Sequence, residues 1–241
     1  MRVPAVHQAL EVEVAAARQR LGAPPRVLDV GGGSGGWAVP LALSGCTVTV
    51  VDPSPNALAT LHRRAAEAGV QQQVSPLQGD ADSLADVVAP GSADLVLGHG
   101  VLEVVEDPGV ATAALADAAA PGGAVSVLVA NRYAAVLFRA LAGRLVEARR
   151  VLDDPHGRLG TADPLLRRFD SGGLTSMLEA CGLAVELLQG DGVVTDLVPS
   201  SVLEAHPGAA DHLAELEFAA AGRAPLRDIA SRLHALARRP A

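Results

Sequence analysis

A run of glycines placed directly after a short apolar strand constrains this chain more than any other feature. Arg26-Val27-Leu28-Asp29-Val30 reads as a buried strand, and Gly31-Gly32-Gly33-Ser34-Gly35-Gly36 follows it at once. Glycine is the residue that turns tightly with positive φ and lets a ligand approach the backbone. A helix that starts just beyond such a turn offers its free N–H groups to that ligand. Gly31-x-Gly33-x-x-Gly36 fits the dinucleotide fingerprint, while Asp29-x-Gly31-x-Gly33-x-Gly35 fits a second nucleoside-binding pattern. Both demand a strand–turn–helix unit, and the glycine loop alone does not choose between them.

The rest of the first half repeats that unit. Helix is expected over 36–44, strand over Thr47–Val51, and helix over 54–68, ended by Gly69. Strands over Val74–Gln78 and Ala93–Gly98 flank a short helix at 82–88. Pro108 opens a helix to about Ala119, and Pro121-Gly122-Gly123 turns the chain into the apolar strand Ala124–Ala130. Such alternation predicts parallel strands joined by helical crossovers, an α/β doubly wound sheet. The rhythm breaks afterwards. One amphipathic helix is expected over 133–150, a loop rich in Pro, Gly and Asp over 153–164, a helix over 171–180, a strand over 183–189, and helix over 199–221. Residues 227–239 fit either helix or strand. No repeat or linker divides the chain, so one domain over 1–241 is expected, with a core over 26–130 and helical insertions over 131–170 and 195–225 capping the substrate side.

Several acids and one histidine fall where ligands bind in such sheets, at the carboxyl ends of the strands. Asp52 follows the second strand, nineteen residues beyond Gly33, the spacing at which an acid takes the ribose hydroxyls; a helix-capping role is the plainer alternative. Asp80-Ala81-Asp82 ends the third strand. His99 ends the fourth, ahead of Val101-Leu102-Glu103. These pieces, in order and with the Pro121-Gly122-Gly123 turn, resemble the class I S-adenosylmethionine (SAM) methyltransferase family from residue 26 to residue 130. The segment from His99 to Pro108, with Asn131, Gly143, Leu213–Glu217, Pro225 and Leu233–Pro240, is similar to the bacterial tRNA 5-carboxymethoxyuridine methyltransferase family.

That resemblance implies a seven-stranded, mostly parallel sheet with its last strand antiparallel. It implies SAM as cofactor and S-adenosylhomocysteine as product. By the same resemblance, Arg2, Gly31, Gly32, Gly33, Gly35, Asp52, Asp80, Ala81, Asp82 and His99 are the cofactor-binding residues. Asn131, Tyr133, Arg149 and Arg150 are expected on the substrate side, where a turn cap (Asn131) and a solvated helix face (the arginines) are the structural alternatives. No catalytic group is assigned. A carboxylate acceptor is already ionised at pH 7 and needs no base; a hydroxyl acceptor would draw on His99 or Asp29.

Charge bears on the acceptor. The 241 residues carry 19 basic groups, all arginine, against 27 acidic ones, a net −8 that argues against indiscriminate nucleic-acid binding. Between residues 131 and 170, however, eight arginines face five acids. Where the resembled tRNA enzymes carry lysines, this chain has Val151-Leu152-Asp153-Asp154-Pro155. Three classes therefore stay open: a tRNA-modifying enzyme, a small-molecule O- or N-methyltransferase, and a SAM-binding partner protein without turnover. Cys46 and Cys181 show no metal spacing, and no metal is expected. No apolar run approaches the ~18–20 residues of a membrane span. A cytoplasmic protein with free thiols and no membrane partner is expected.

Overall fold

The computed structural model describes residues 5–241. Seven strands form one sheet: β1 Arg26–Val30, β2 Thr47–Asp52, β3 Val74–Gln78, β4 Ala93–His99, β5 Ala119–Ala130, β6 Ala184–Asp191 and β7 Arg232–Arg238. Their spatial order is β3-β2-β1-β4-β5-β7-β6. Every neighbouring pair is parallel except those involving β7, which runs antiparallel to both β5 and β6. This is the expected α/β doubly wound sheet, and its order reverses between β1 and β4.

Strand side chains alternate between two faces, and the core divides accordingly. Leu28, Val30, Val96, Val125 and Val127 join one cluster; Val27, Leu95, Leu97 and Leu128 join the other. The nine helices among the described residues are α1 Ala5–Leu21, α2 Ala38–Leu43, α3 Pro55–Glu67, α4 Pro108–Ala118, α5 Arg132–Leu141, α6 Leu145–Asp153, α7 Ser171–Ala180, α8 Ser200–Ala205 and α9 Ala209–Ala221. Leu115 of α4 and Leu174 and Leu178 of α7 fill the first cluster, and Leu10 and Val14 of α1 with Leu61 of α3 fill the second. Each such fully buried leucine contributes about 1.5–3 kcal/mol. No helix of the described residues is long and apolar enough to cross a membrane.

Three expectations are corrected, and one helix is added. The helix expected over 133–150 is two, α5 and α6, because Gly143 adopts φ +73° and its N–H donates to the Ala140 carbonyl, closing α5. The helix expected over 199–221 likewise breaks at Gly208, φ +82°. Residues 81–86 form a tighter 3₁₀ turn instead of a helix over 82–88. α1 was not foreseen, although Val6, Leu10, Val14 and Ala17 are buried at helical spacing. The ambiguous end of the chain is strand β7: Leu233, Ala235 and Ala237 face one side of the sheet, and His234 and Leu236 the other.

Candidate cofactor site at the carboxyl edge of the sheet

The loop between β1 and α2 needs its glycines. Gly31, Gly33 and Gly35 have φ of +68°, +55° and +82°, which L side chains rarely adopt. Gly32 is constrained by space: a Cβ there would lie 2.4 Å from Asp29 Oδ2 and 2.8 Å from Val50. Asp52, at the end of β2, ties the loop down. Its Oδ2 accepts the Gly33 N–H at 2.9 Å and its Oδ1 accepts the Ser54 N–H at 2.9 Å. The cap of α3 is Ser54, whose side chain accepts from the Ala57 amide, so Asp52 does not serve as that cap. A carboxylate has about four lone-pair sites, so two remain for a ligand.

Asp52 also lines a cavity of about 320 Å³, shared with Gly31, Gly79, Asp80–Asp82, Val101 and Val105. The expected acid after β2, Gly31 of the glycine loop and the residues after β3 are thus brought to one place. Within it, Asp80 Oδ1 accepts the Asp82 amide at 3.2 Å. A lining of apolar valines and carboxylates suits a flat base attached to a sugar. These residues fit the adenosine part of SAM.

Two further buried acids lie at this edge. Asp29 in β1 is 1% exposed, and its Oδ2 has no hydrogen-bond partner. Burial, and secondarily the Asp52 charge, push its carboxyl up to about 7. Glu103, in the loop after β4, accepts the Ala130 amide at 3.1 Å through Oε1, while Oε2 is unpartnered; burial raises its carboxyl above the ordinary range. That loop is clasped by Arg167, which donates to the carbonyls of Leu102, Val105 and Glu106. The sequence reading used Glu103 only as part of a motif. Its polar character amid Val101, Leu102, Val104 and Val105 was the available signal.

His99 closes β4, immediately before Gly100 and Val101 of the cavity wall. Its ring stands edge-on to Trp37, centroids 5.0 Å apart, and Trp37 lies against His7 at 4.3 Å. Burial, reinforced by His234, Arg232 and His7, pushes the His99 imidazole down to about 3. Arg2 lies outside the described residues.

The residues expected on the substrate side are not gathered in this cavity. Asn131 is buried and caps α5, its Oδ1 accepting the Tyr133 amide at 3.0 Å. Both of its amide protons go to backbone carbonyls, Asp228 at 2.9 Å and Ala230 at 2.7 Å. The turn-capping alternative therefore accounts for this residue. Tyr133 is exposed on α5. Arg149 and Arg150 border a separate open groove of about 710 Å³, with Leu145, Val146 and Arg158.

Residues 6–188 match a family model described as "Methyltransferase domain". The chain belongs to the methyltransferase-domain family. The enzyme class and cofactor expected from its residues, a methyltransferase using SAM, agree with that membership. The chain is 37% identical over 118 residues to "Ubiquinone biosynthesis O-methyltransferase" of Caulobacter sp. (strain K31), covering 49% of this chain and 46% of that one. It is 31% identical over 118 residues to "tRNA 5-carboxymethoxyuridine methyltransferase" of Escherichia coli (strain K12), covering 49% and 45%. The chain spans about half the length of the curated relatives it matches. Its fold is that of an S-adenosylmethionine dependent methyltransferase from Mesorhizobium loti, with TM-score 0.62 and 21% identity over 93% of this chain and 96% of that one. No group of three or more His, Cys, Asp or Glu side chains arranged to hold a metal ion occurs among its described residues.

Proposed function

We propose that this methyltransferase moves the methyl group of SAM to an oxygen of a small-molecule acceptor. Bound SAM supplies an electrophilic methyl on a sulfonium, so the protein's main task is to align donor and acceptor. In this reading Asp52 holds the ribose, Asp80–Asp82 border the adenine, and the glycine loop carries the amino-acid end. The helices of 131–170 and 195–225 cap the acceptor.

One observation carries the choice of acceptor. Five of the eight arginines of 131–170 lie beside the protein's own acids. Arg139 and Arg144 both approach Glu147, at 3.7 and 3.5 Å, Arg149 pairs with Asp153 at 3.1 Å, and Arg158 with Asp154 at 3.5 Å. Arg168 is paired with Asp163 at 2.6 Å. An RNA site rests on cations that release counterions from phosphates, and here four carboxylates lie against five of the eight arginines. The acidic chain points the same way.

A second reading, esterification of a 5-carboxymethoxyuridine carboxylate in tRNA, is supported by Arg150. It has no carboxylate partner among the described residues and borders the open groove beside α6. Tritiated methyl transfer from SAM into total tRNA, compared with a cell metabolite extract, separates the two. Label in the extract alone is the expected result. Label in tRNA that falls steeply with salt would establish the second reading instead.

A further inference from the structure

Four polar side chains form a hydrogen-bonded line across the sheet. Gln189 on β6 meets His234 on β7 at 3.0 Å, His234 meets Ser126 on β5 at 2.8 Å, and Ser126 meets His99 at the end of β4 at 2.8 Å. The line is embedded in an apolar face that includes Leu97, Leu128 and Leu236. Ser126 and His234 are wholly buried. Burying polar groups there stabilises nothing that leucine or valine would not, so the line calls for another explanation.

Proton bookkeeping gives it a direction. The Gln189 carboxamide nitrogen only donates, so His234 Nδ1 accepts and the His234 proton sits on Nε2. Burial keeps that ring neutral, pushing it down to about 4. His234 Nε2–H then donates to Ser126 Oγ. The Ser126 hydroxyl, buried with no other acceptor, donates its own proton to His99 Nε2. The neutral His99 is left with its proton on Nδ1, a buried nitrogen with no partner of its own. A buried N–H without an acceptor is a cost to the fold, and a ligand oxygen removes it.

We propose that Gln189, His234 and Ser126 are positioning residues that lock His99 in the Nδ1–H tautomer, presenting a hydrogen-bond donor to a carboxylate beside the cofactor cavity. Because Ser126 occupies its only lone pair, His99 is not a base. That leaves Asp29 as the one base named for a hydroxyl acceptor, and it favours, within the proposed function on which this inference rests, carboxylates and other oxygens that arrive already ionised. The carboxylate met by His99 belongs either to the cofactor or to the acceptor.

Long-range proton–nitrogen correlation spectra of the ¹⁵N-labelled full chain test the lock without any variant. Protonated Nδ1 and bare Nε2 in His99, with the reverse in His234, are expected. A His99 proton on Nε2 overturns the proposal. A shift of His99 Nδ1 with S-adenosylhomocysteine, but not with carboxylate-free 5′-methylthioadenosine, assigns the partner to the cofactor. A shift only when benzoate joins the S-adenosylhomocysteine complex assigns it to the acceptor. No shift in either case refutes the donor role. Ser126→Ala should weaken the ligand that causes the shift by about tenfold, and His99→Asn, which keeps an N–H at the same branch, should weaken it far less. A Ser126→Ala protein that melts earlier but binds with unchanged affinity would reduce the line to packing. Failure of S-adenosylhomocysteine to bind the wild type would instead refute the cofactor reading and leave the tautomer result standing.

Discussion

The carboxylate of Asp52 accepts the backbone amide of Gly33 across nineteen residues of sequence, at 2.9 Å. The acid proposed to hold the ribose therefore also holds the loop that shapes the cavity. Asp52→Ala removes a ligand contact and an acceptor for two backbone amides. SAM binding should weaken by about 1.5–3 kcal/mol, the scale of a hydrogen bond to a charged group. The unliganded protein should lose about 1 kcal/mol as well, because the orphaned amides are partly buried. Calorimetry with S-adenosylhomocysteine and urea unfolding check the two effects separately; unchanged affinity would leave Asp52 a purely structural residue.

Asp29 offers a pH test. Its carboxyl is raised from 3.8 to about 7 by burial. The folded state thus binds this proton more tightly than the unfolded one, so its contribution is present below about pH 4 and lost as pH rises through 7. Asp29→Asn should raise the melting temperature of the unliganded protein at pH 8 and raise it less at pH 5. An equal gain at both pH values would contradict the assigned shift.

His99 and His234 behave in the opposite sense. Their rings are lowered from 6.5 to about 3 and about 4, so the unfolded chain takes up these protons first. Stability should be complete above about pH 6.5 and fall as pH drops towards 4. Urea midpoints measured across that interval should show the decline, and His234→Gln should flatten it.

Salt distinguishes the acceptors. For a small acceptor, turnover should be nearly independent of ionic strength, and Arg149→Ala with Arg150→Ala should leave SAM affinity intact. If tRNA were the acceptor, log affinity would fall by about 0.7 per single-stranded phosphate contact for each unit of log salt, and the same pair of substitutions would flatten the slope. Filter binding of purified tRNA over a salt series provides the measurement.

The strands and the glycine loop were legible because both rest on local physics: alternation along Thr47–Val50, a continuous apolar run over Ala124–Ala130, and turn chemistry at Gly31–Gly36. The expected cluster of Gly31, Asp52 and Asp80–Asp82 follows from strand ends meeting at one edge, and they share the cavity. Breaks inside helices were harder. Gly143 sits in an amphipathic pattern that continues on both sides, and its left-handed φ, with the non-helical Arg144 after it, separates α5 from α6. The line from Gln189 to His99 was out of reach because its members are 27, 108 and 45 residues apart. Asn131 shows the same limit: its carbonyl partners lie 97 and 99 residues away. An isolated polar residue after a strand looks the same whether it meets a ligand or the protein's own backbone.

β7 emerges last among the strands during synthesis, yet it occupies an inner position between β5 and β6. Its Arg238 also grips Glu13 of α1 with two bonds of 2.7 Å, joining the newest strand to the oldest helix. Until β7 arrives, β5 presents an open edge of the kind that pairs with other chains, and Ser126 and Gln189 have no histidine between them. A nascent chain of this protein therefore carries its glycine loop and Asp52 long before it has a finished sheet, and ribosome stalling ahead of residue 232 would leave five contiguous strands with an aggregation-prone edge at β5, and β6 unattached.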